Sequence, residues 1–333
     1  MKKIWVLMMA AVMVFSVAAC GKSETNEVTV ETQEEVPSVV TIQSLNEIQE
    51  TVEIEVPYNP ERIAVLDMAA LDILDTLGVG DRIVGSADVS IEYLKEYDPD
   101  TSEGTIMNLG TVKTADFEMI AASEPEIIFI GGRLASVYGD LEAIAPVVYL
   151  GVDYEKGVVE STRQNAQTIA SIFGRENEVE ELFDGFLTRI DALNAVLNDK
   201  DVLLGMYNSN ALGLMDTEAQ LNLIAKELGA NNLSETVGET EKATHGEEAS
   251  WETIMKLNPE YMFILDRSTA VGAEEGALGV REVIENDLIK ALDVYKNGNI
   301  IYLVEHANVW YTATGGVQAL DTMLADLEAA LLN

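Results

Sequence analysis

Residues 115–133 run ADFEMIAASEPEIIFIGGR, and residues 249–267 repeat the pattern as ASWETIMKLNPEYMFILDR. An alanine, an aromatic residue, a glutamate, an isoleucine, a Pro-Glu pair, a Phe-Ile pair and a closing arginine keep their spacing in both copies. In the first copy the pattern predicts a helix over Phe117–Ala122 and a buried strand over Ile127–Ile130. The repeat therefore predicts two similar halves, each with a helix–strand unit that ends at an arginine.

Two further segments recur in the same order around the repeat. A helix predicted over Ala69–Leu77 has its counterpart in Leu221–Leu228, and a glycine follows each of them. The apolar strand Val147–Leu150 is matched by Ile300–Leu303. Strands that alternate with helices indicate parallel sheets whose two faces are covered by helices.

One long helix is predicted between the halves, and a second long helix follows it. Residues 155–173 contain no proline and end before Gly174, a typical helix stop, and Glu176–Leu197 forms the next helix with Leu182 on its apolar face. The predicted fold class is α/β, with two small Rossmann-like lobes that have parallel sheets, are joined by one long α-helix and enclose a ligand cleft.

Three smaller elements complete the prediction. Period-two alternation over Val39–Ile42 and Val52–Val56 predicts a hairpin at the start of the first lobe. A helix is expected over Ala135–Ile144. Residues 308–316, which are rich in threonine and glycine, are expected to form a loop that leads into a closing helix over Gln318–Leu332.

The first residues have the features of an export signal. Two lysines precede an apolar run, and small residues lead to Cys20, the only cysteine of the chain. The sequence VAAC at 17–20 resembles a bacterial lipobox; the alternative is an ordinary cleavage site with an incidental cysteine. We expect a signal peptide at 1–19, a lipidated Cys20 with a disordered tether at 20–37, an N-terminal lobe at 38–154, a connecting helix at 155–175 and a C-terminal lobe at 176–333.

The chain is strongly acidic. Its formal net charge is −38, and removal of residues 1–19 takes away two lysines and changes it to −40. Nucleic-acid-binding proteins need basic surfaces, so we expect no nucleic-acid partner. Because the acidic residues are spread along the chain, solubility accounts for most of this excess.

Arg133 and Arg267 each follow the strand of their repeat. In open parallel sheets, ligands bind outside the carboxyl ends of the strands. If the lobes face each other, the two guanidinium groups lie across one cleft, where they suit an anionic ligand. The alternative is a local salt bridge at each strand end.

Glu118 and Glu252 begin the helices of the two repeat copies. A carboxylate in a first turn is favoured by the helix dipole by ~0.3–1 kcal/mol, and this alone would account for both residues. His245, Trp310 and Tyr311 lie in segments expected to be loops, where a surface role or packing is the simplest explanation. The sequence contains no HExxH, GxSxG, Walker or GxGxxG motif, so nothing in it favours an enzyme.

The predicted lipobox, lobes, connecting helix and repeat resemble the substrate-binding lipoproteins of ABC importers for iron–siderophores, haem and cobalamin. The second half resembles the branch that binds ferric catecholates, including petrobactin-type ligands, through THG at 244–246, DR at 266–267 and WYxATG at 310–315. The resemblance implies that Arg133 and Arg267 contact the anionic ligand and that His245 and Tyr311 complete the iron coordination. Trp310 is expected to bind the ligand and to report its binding by fluorescence. It also implies that Glu118 and Glu252 dock to arginines of the permease.

The sequence departs from that branch at Gln220, where the family carries a third arginine in the pocket. The ligand preference is therefore expected to differ, with less tolerance for a highly charged tris-catecholate. The expected protein is a monomeric receptor without enzymatic activity or an intrinsic cofactor, in which ferric iron enters only with the siderophore. It is expected to be exported, held by its N-terminal lipid on the outer face of the cytoplasmic membrane, and to deliver the ligand to an ABC permease. The alternatives are a haem or cobalamin receptor of the same fold, or a cell-surface enzyme.

Overall fold

A computed structural model describes residues 37–237, 250–272 and 278–332 of the chain. Its strands are β1 Val39–Leu45, β2 Thr51–Pro57, β3 Ile63–Leu66, β4 Ile83–Ser86, β5 Met107–Asn108, β6 Gly110–Thr111, β7 Thr114–Ala115, β8 Ile127–Ile130, β9 Val147–Tyr149, β10 Asp201–Asn208, β11 Ala211–Leu214, β12 Asn231–Asn232, β13 Tyr261–Asp266 and β14 Ile300–Leu303.

Helices alternate with these strands. They are α1 Met68–Thr76, α2 Phe117–Ala122, α3 Tyr138–Glu142, α4 Val158–Phe173, α5 Glu176–Leu197, α6 Asn222–Lys226, α7 Trp251–Leu257, α8 Arg267–Ala270, α9 Val280–Ile284, α10 Asp287–Lys290, α11 Asp293–Lys296, α12 Ala307–Thr312 and α13 Val317–Leu331. Among the described residues, short 3-10 helices cover Gly80–Arg82, Glu92–Tyr97, Gly132–Val137 and Leu233–Thr236.

Two sheets form the framework. The first has the order β5-β4-β3-β8-β9 with every pair parallel, and the second has the order β11-β10-β13-β14, with β12 beside β10. The second sheet is parallel except for its edge strand β11. All four residues of β3 and of β8 are buried, as expected for parallel strands covered on both faces. The α/β fold class predicted from the sequence is confirmed.

The predicted hairpin is also present. Strands β1 and β2 pair antiparallel from Val39 opposite Pro57 to Leu45 opposite Thr51. The hairpin packs against α4 and β9. Its turn is closed by the Asn46 side chain, whose Oδ1 accepts hydrogen bonds from the backbone of Ile48 at 3.1 Å and of Glu50 at 2.9 Å.

Helix α4 is the long helix expected between the halves. It buries Val158, Ala166, Ile169, Ala170 and Phe173 on one face and ends at Gly174, whose φ of 66° is the left-handed conformation that glycine adopts without strain. The helix contacts α1 and β1 as well as α6 and α13, so it packs against elements from both halves of the chain.

The start of α4 is capped from another element. The residue before the helix is Gly157, which has no side chain to cap it, and Glu227 Oε1 accepts a hydrogen bond from the Val159 backbone at 2.8 Å. Burial raises the pKa of the Glu227 carboxyl, although hydrogen bonds from backbone N–H groups, including that of Val159, oppose this rise. This contact fixes the entry of α4 against the end of α6.

A second buried carboxylate joins α1 to α13. Asp72 is 0% exposed, and it accepts hydrogen bonds from the backbone of Gln318 and Ala319, both at 2.9 Å, and from the Tyr93 hydroxyl at 2.7 Å. It thereby supplies α13 with the N-terminal acceptors that Gly316 cannot provide. The closing helix of the chain is therefore fastened to the first helix.

Two sequence predictions about helices are wrong. The helix expected over Ala135–Ile144 is a 3-10 helix followed by α3, which spans only Tyr138–Glu142. On α5, Leu182 is exposed and Phe183 is buried in its place, because the buried positions follow the spacing of Val179, Phe183 and Phe186.

The described residues from Pro37 onward form one compact unit, in which the strands of the first sheet lie within residues 63–149 and those of the second within residues 201–303. The lobe boundaries proposed above stay a prediction. The predicted signal peptide and Cys20 lie outside the described residues, as does the tether apart from Pro37. Within the described ranges, each helix is too short or too polar to cross a membrane.

Candidate functional site

Arg133 lies at the carboxyl end of β8. The chain leaves the strand through Gly131 and Gly132 and begins a 3-10 helix in which Arg133 is exposed. Glycine is needed at 131 because a Cβ there would lie 2.3 Å from Oδ2 of Asp67, which follows β3. The close approach of two adjacent strand ends thus brings the carboxylate of Asp67 and the guanidinium group of Arg133 to the same edge of the first sheet.

Arg267 occupies the matching position at the end of β13. Asp266 caps the short helix α8 by accepting a 3.0 Å hydrogen bond from the Thr269 backbone, and this fixes the turn that Arg267 begins. The half-buried guanidinium donates from Nη1 to Asn208 Oδ1 at 2.6 Å and from Nε to the Tyr311 hydroxyl at 2.9 Å. Its orientation is therefore fixed before any ligand binds.

Tyr311 is the point at which the two arginines converge. The guanidinium carbons of Arg133 and Arg267 each lie 5.2 Å from the centre of the Tyr311 ring. Cations within about 6 Å of an aromatic ring are attracted to its face, so the ring holds two positive charges close together. The structure brings these three predicted site residues together, although their contact with a ligand remains a prediction.

A cavity of about 330 Å³ opens beside this cluster. Its lining includes Asp67, Arg133, Gln220, Tyr311 and Thr314. Gln220 precedes α6 and Thr314 follows α12, so residues from both halves of the chain face one space. The cavity size falls at the lower end of the usual range for small-molecule sites, which is ~300–1,000 Å³.

Comparison with known proteins shows the family to which the chain belongs. The model of the periplasmic binding protein family matches residues 63–307. The chain belongs to the periplasmic binding protein family. The petrobactin-binding protein YclQ of Bacillus subtilis is 31% identical over 335 residues, which cover 99% of this chain and 99% of YclQ.

Solved structures of this family agree with the fold. The crystal structure of YclQ superposes with a TM-score of 0.77 at 29% identity, and the match covers 88% of this chain and 99% of that one. The catecholate-siderophore binding protein VctP of Vibrio cholerae superposes with a TM-score of 0.74 at 28% identity, with coverage of 87% and 100%. The expected resemblance to iron–siderophore binding proteins is thus confirmed.

Trp310 requires a correction to the sequence prediction. Its side chain is fully buried, is absent from the lining of the cavity, and donates from Nε1 to Asp326 Oδ2 at 2.9 Å. The other carboxylate oxygen of Asp326 lies 2.8 Å from Nδ1 of His306. Trp310 therefore anchors α12 to α13 and does not line the cavity where the sequence prediction placed it.

The segment that carries Tyr311 also differs from expectation. Residues 307–312 form helix α12 where a loop was predicted over 308–316. The helix has no side-chain N-cap and depends on buried contacts of Ala307, Val309 and Trp310. Tyr311 is held rigidly as a consequence, with only 8% of its surface exposed.

Glu118 and Glu252 are exposed in the first turns of α2 and α7. Each helix has its own cap, since Asp116 and Ser250 accept hydrogen bonds from the backbones of Met119 and Thr253. The two glutamates are therefore not needed as caps, and their permease contact stays a prediction. His245 lies outside the described residues.

Two polar residues of the site escaped the sequence analysis. Asp67 follows β3 and Asn208 ends β10, and both strands are central in their sheets. The rule that led to the arginines, that ligands bind at the carboxyl ends of parallel strands, points to these positions equally. Burial raises the pKa of the Asp67 carboxyl to about 6, while backbone N–H groups of Ala70 and Ala69 and the charge of Arg133 oppose this rise.

Proposed function

We propose that this protein is an extracytoplasmic receptor that binds a ferric siderophore of the catecholate class and delivers it to an ABC permease. We further propose that it is a monomer, that its N-terminal lipid on Cys20 holds it at the outer face of the cytoplasmic membrane, and that it is not an enzyme. The observation that supports the ligand class most directly is the pair of guanidinium groups, each 5.2 Å from the centre of the Tyr311 ring, with Arg133 and Tyr311 lining one cavity.

The chemistry of these groups suits ferric catecholates. Such complexes are anionic, and arginine keeps its charge and offers a planar fork of donors to oxygen ligands. Ferric iron is a hard cation for which a phenolate oxygen is a suitable ligand, and imidazole is an accepted partner. Tyr311 and His245 would therefore complete the coordination of a complex in which the siderophore supplies too few donor atoms.

The relatives support the same class. YclQ is named a petrobactin-binding protein, VctP a catecholate-siderophore binding protein and FatB, 26% identical over 275 residues, a ferric-anguibactin-binding protein. We propose that Glu118 and Glu252 present one carboxylate from each half of the chain to the permease. Ferric iron enters as part of the cargo, and no resident cofactor is proposed.

A binding panel tests the ligand class. The protein without residues 1–19 retains two of the three tryptophans, and their fluorescence should be quenched by energy transfer to the charge-transfer band of a bound iron complex. We expect saturable quenching with ferric bis- and tris-catecholates and none with a ferric hydroxamate. Tight binding of haem or cobalamin, together with no response to any catecholate, would replace the proposal with the alternative receptor.

A matched pair of variants links the binding to the cluster. Arg133→Gln should weaken catecholate binding because it removes one of the two cations at Tyr311. Arg281→Gln is the control, since Arg281 lies 4.1 Å from the centre of the Tyr302 ring and does not line the cavity. Equal affinities of the two variants would mean that the cluster is not the binding site.

A further inference from the structure

The cavity contains a negative charge as well as a positive one. Of the described residues that line it, the charged ones are Arg133 and Asp67. Across the described ranges, no ion pair within 4.0 Å involves either of these two side chains. The side chains of Asp67 and Arg133 therefore line the same cavity without forming a direct ion pair with each other.

The position of Asp67 is built into the backbone of the first sheet. It follows β3, and its Oδ1 accepts a 2.9 Å hydrogen bond from the Ala70 backbone as the N-cap of α1. Its Oδ2 lies beside Gly131, which also lines the cavity and which has no Cβ to displace the carboxylate. One oxygen thus caps the helix and the other lies at the cavity edge.

Helix capping alone does not require a negative charge here. Asparagine and serine cap helices about as well as aspartate, and either would leave the cavity more favourable for an anion. Burial raises the pKa of this carboxyl to about 6, while the backbone N–H groups of Ala70 and Ala69 and the charge of Arg133 favour its ionised form. A carboxylate in a site for anions lowers affinity unless the ligand itself carries a group that it can bind.

We infer that Asp67 is a specificity-determining residue that selects ferric chelates carrying a protonated amine beside their anionic chelating groups. The inference rests on the proposed function and narrows its ligand class. Arg133 and Arg267 would contact the chelate, and Asp67 would accept a charge-assisted hydrogen bond from the ammonium group. An all-anionic chelate of the same shape would meet repulsion at that point.

Two synthetic ferric bis-catecholamide complexes test this selection. They have the same donor atoms and linker length, but one linker holds a secondary amine where the other holds a methylene group. Affinities are measured by fluorescence quenching for wild type, Asp67→Asn and Asp116→Asn. Asparagine keeps the capping acceptor and removes only the charge, and Asp116 is a matched control because it caps α2 outside the cavity.

We expect wild type and Asp116→Asn to prefer the amine complex by about tenfold, the usual size of one charge-assisted hydrogen bond. Asp67→Asn should lose this preference, with weaker binding of the amine complex and tighter binding of the methylene complex. Binding of both complexes with no preference in wild type, or with the same preference in Asp67→Asn, would overturn the inference and leave the proposed function intact. Failure of both complexes to bind wild type would overturn the proposed function as well.

Discussion

Arg267 donates a 2.9 Å hydrogen bond from Nε to the hydroxyl oxygen of Tyr311, and its guanidinium carbon lies 5.2 Å from the centre of that ring. The same guanidinium donates to Asn208, so it is held from two sides. Because the Tyr311 oxygen accepts from a cation, one of its lone pairs stays available to a second partner. This arrangement orients the phenol for an acceptor role at the cavity.

Tyr311→Phe tests the proposed iron contact. The change keeps the aromatic ring beside the two arginines and removes the oxygen. Both cations therefore remain, while the oxygen ligand and its hydrogen bond from Arg267 are lost. We expect the charge-transfer band of a bound tetradentate ferric bis-catecholate to shift in this variant. A hexadentate tris-catecholate, which needs no protein ligand, should give the same band in both proteins. Tyr302→Phe is the control, because Tyr302 also faces an arginine but does not line the cavity. An unchanged band with the tetradentate complex would remove Tyr311 from the coordination shell.

Lysine substitutions should separate the two arginines. Arg267 uses two nitrogens at once, for Asn208 and Tyr311, and lysine cannot reproduce that fork. Arg267→Lys should therefore weaken catecholate binding by about tenfold to a hundredfold, the range of charge-assisted hydrogen bonds. Arg133 is exposed and lacks such bonds among the described residues, so Arg133→Lys should change affinity less than threefold, a difference of under ~1 kcal/mol. Titration at low salt measures both, and equal losses would contradict the different roles assigned to the two residues.

Gln220→Arg should broaden the ligand range. Gln220 lines the cavity with Arg133 and Tyr311, so an arginine there adds a third positive charge to the site. We expect the affinity for a ferric tris-catecholate to rise by about tenfold and that for the less anionic bis-catecholate to rise less, because the attraction scales with ligand charge. Gln164→Arg, on α4, makes the same change in net charge outside this cavity. A similar gain in that control would assign the effect to general electrostatic attraction.

Residues with strong local patterns were predictable from sequence. The helix–strand units of the repeat appear where their periodicity placed them, as α2 with β8 and α7 with β13, and the arginines follow because parallel strands end at the same edge. Asp67 obeys the same rule, but a single acid after a strand has no repeat partner to mark it.

Other parts of the site depend on contacts between distant residues. Helix α12 has six residues and no side-chain cap, so its local sequence resembles a loop, and the burial of Trp310 against α13 stabilises it. Trp310 and Tyr311 are neighbours in the WYxATG motif, and both are predicted ligand-site residues. Adjacent residues on a helix point in different directions, and only the packing of α12 decides which of the two faces the cavity.

Asp72 gives a prediction about stability. It is fully buried and accepts hydrogen bonds from two N–H groups of α13 and from Tyr93, so Asp72→Ala should lower the free energy of unfolding by about 2 kcal/mol or more. Urea denaturation measures this loss. The control Asp116→Ala, which removes the exposed cap of α2, should cost only about 1 kcal/mol. Equal losses of unfolding free energy in the two variants would mean that the link between α1 and α13 stabilises the protein no more than an ordinary helix cap does.

The same residue should make stability depend on pH. Burial raises the pKa of Asp72 from 3.8 to about 6, so the folded protein binds this proton more tightly than the unfolded chain. The stabilisation that this bound proton gives the folded state is fully present below pH 3.8 and is lost as the pH rises through 6. The unfolding free energy of wild type should therefore fall relative to that of Asp72→Asn as the pH rises from 3.8 to 6. Above this range the difference between the two proteins should stay constant. A difference between the two proteins that does not vary with pH would contradict the assignment.

Glu118 and Glu252 should matter for uptake and not for binding. Both are exposed, both lie on helices that have other caps, and neither lines the cavity, so their loss should leave ligand affinity and folding unchanged. If they pair with cationic residues of the permease, Glu118→Ala with Glu252→Ala should abolish iron-dependent uptake in cells that rely on this receptor. The matched control is Glu142→Ala with Glu181→Ala, which removes two exposed glutamates from α3 and α5. Normal uptake in cells with the Glu118→Ala and Glu252→Ala double variant, or an equal loss of uptake with the control double variant, would show that docking does not use these positions. Each single variant should retain part of the uptake, because the contact from the other half of the chain would remain.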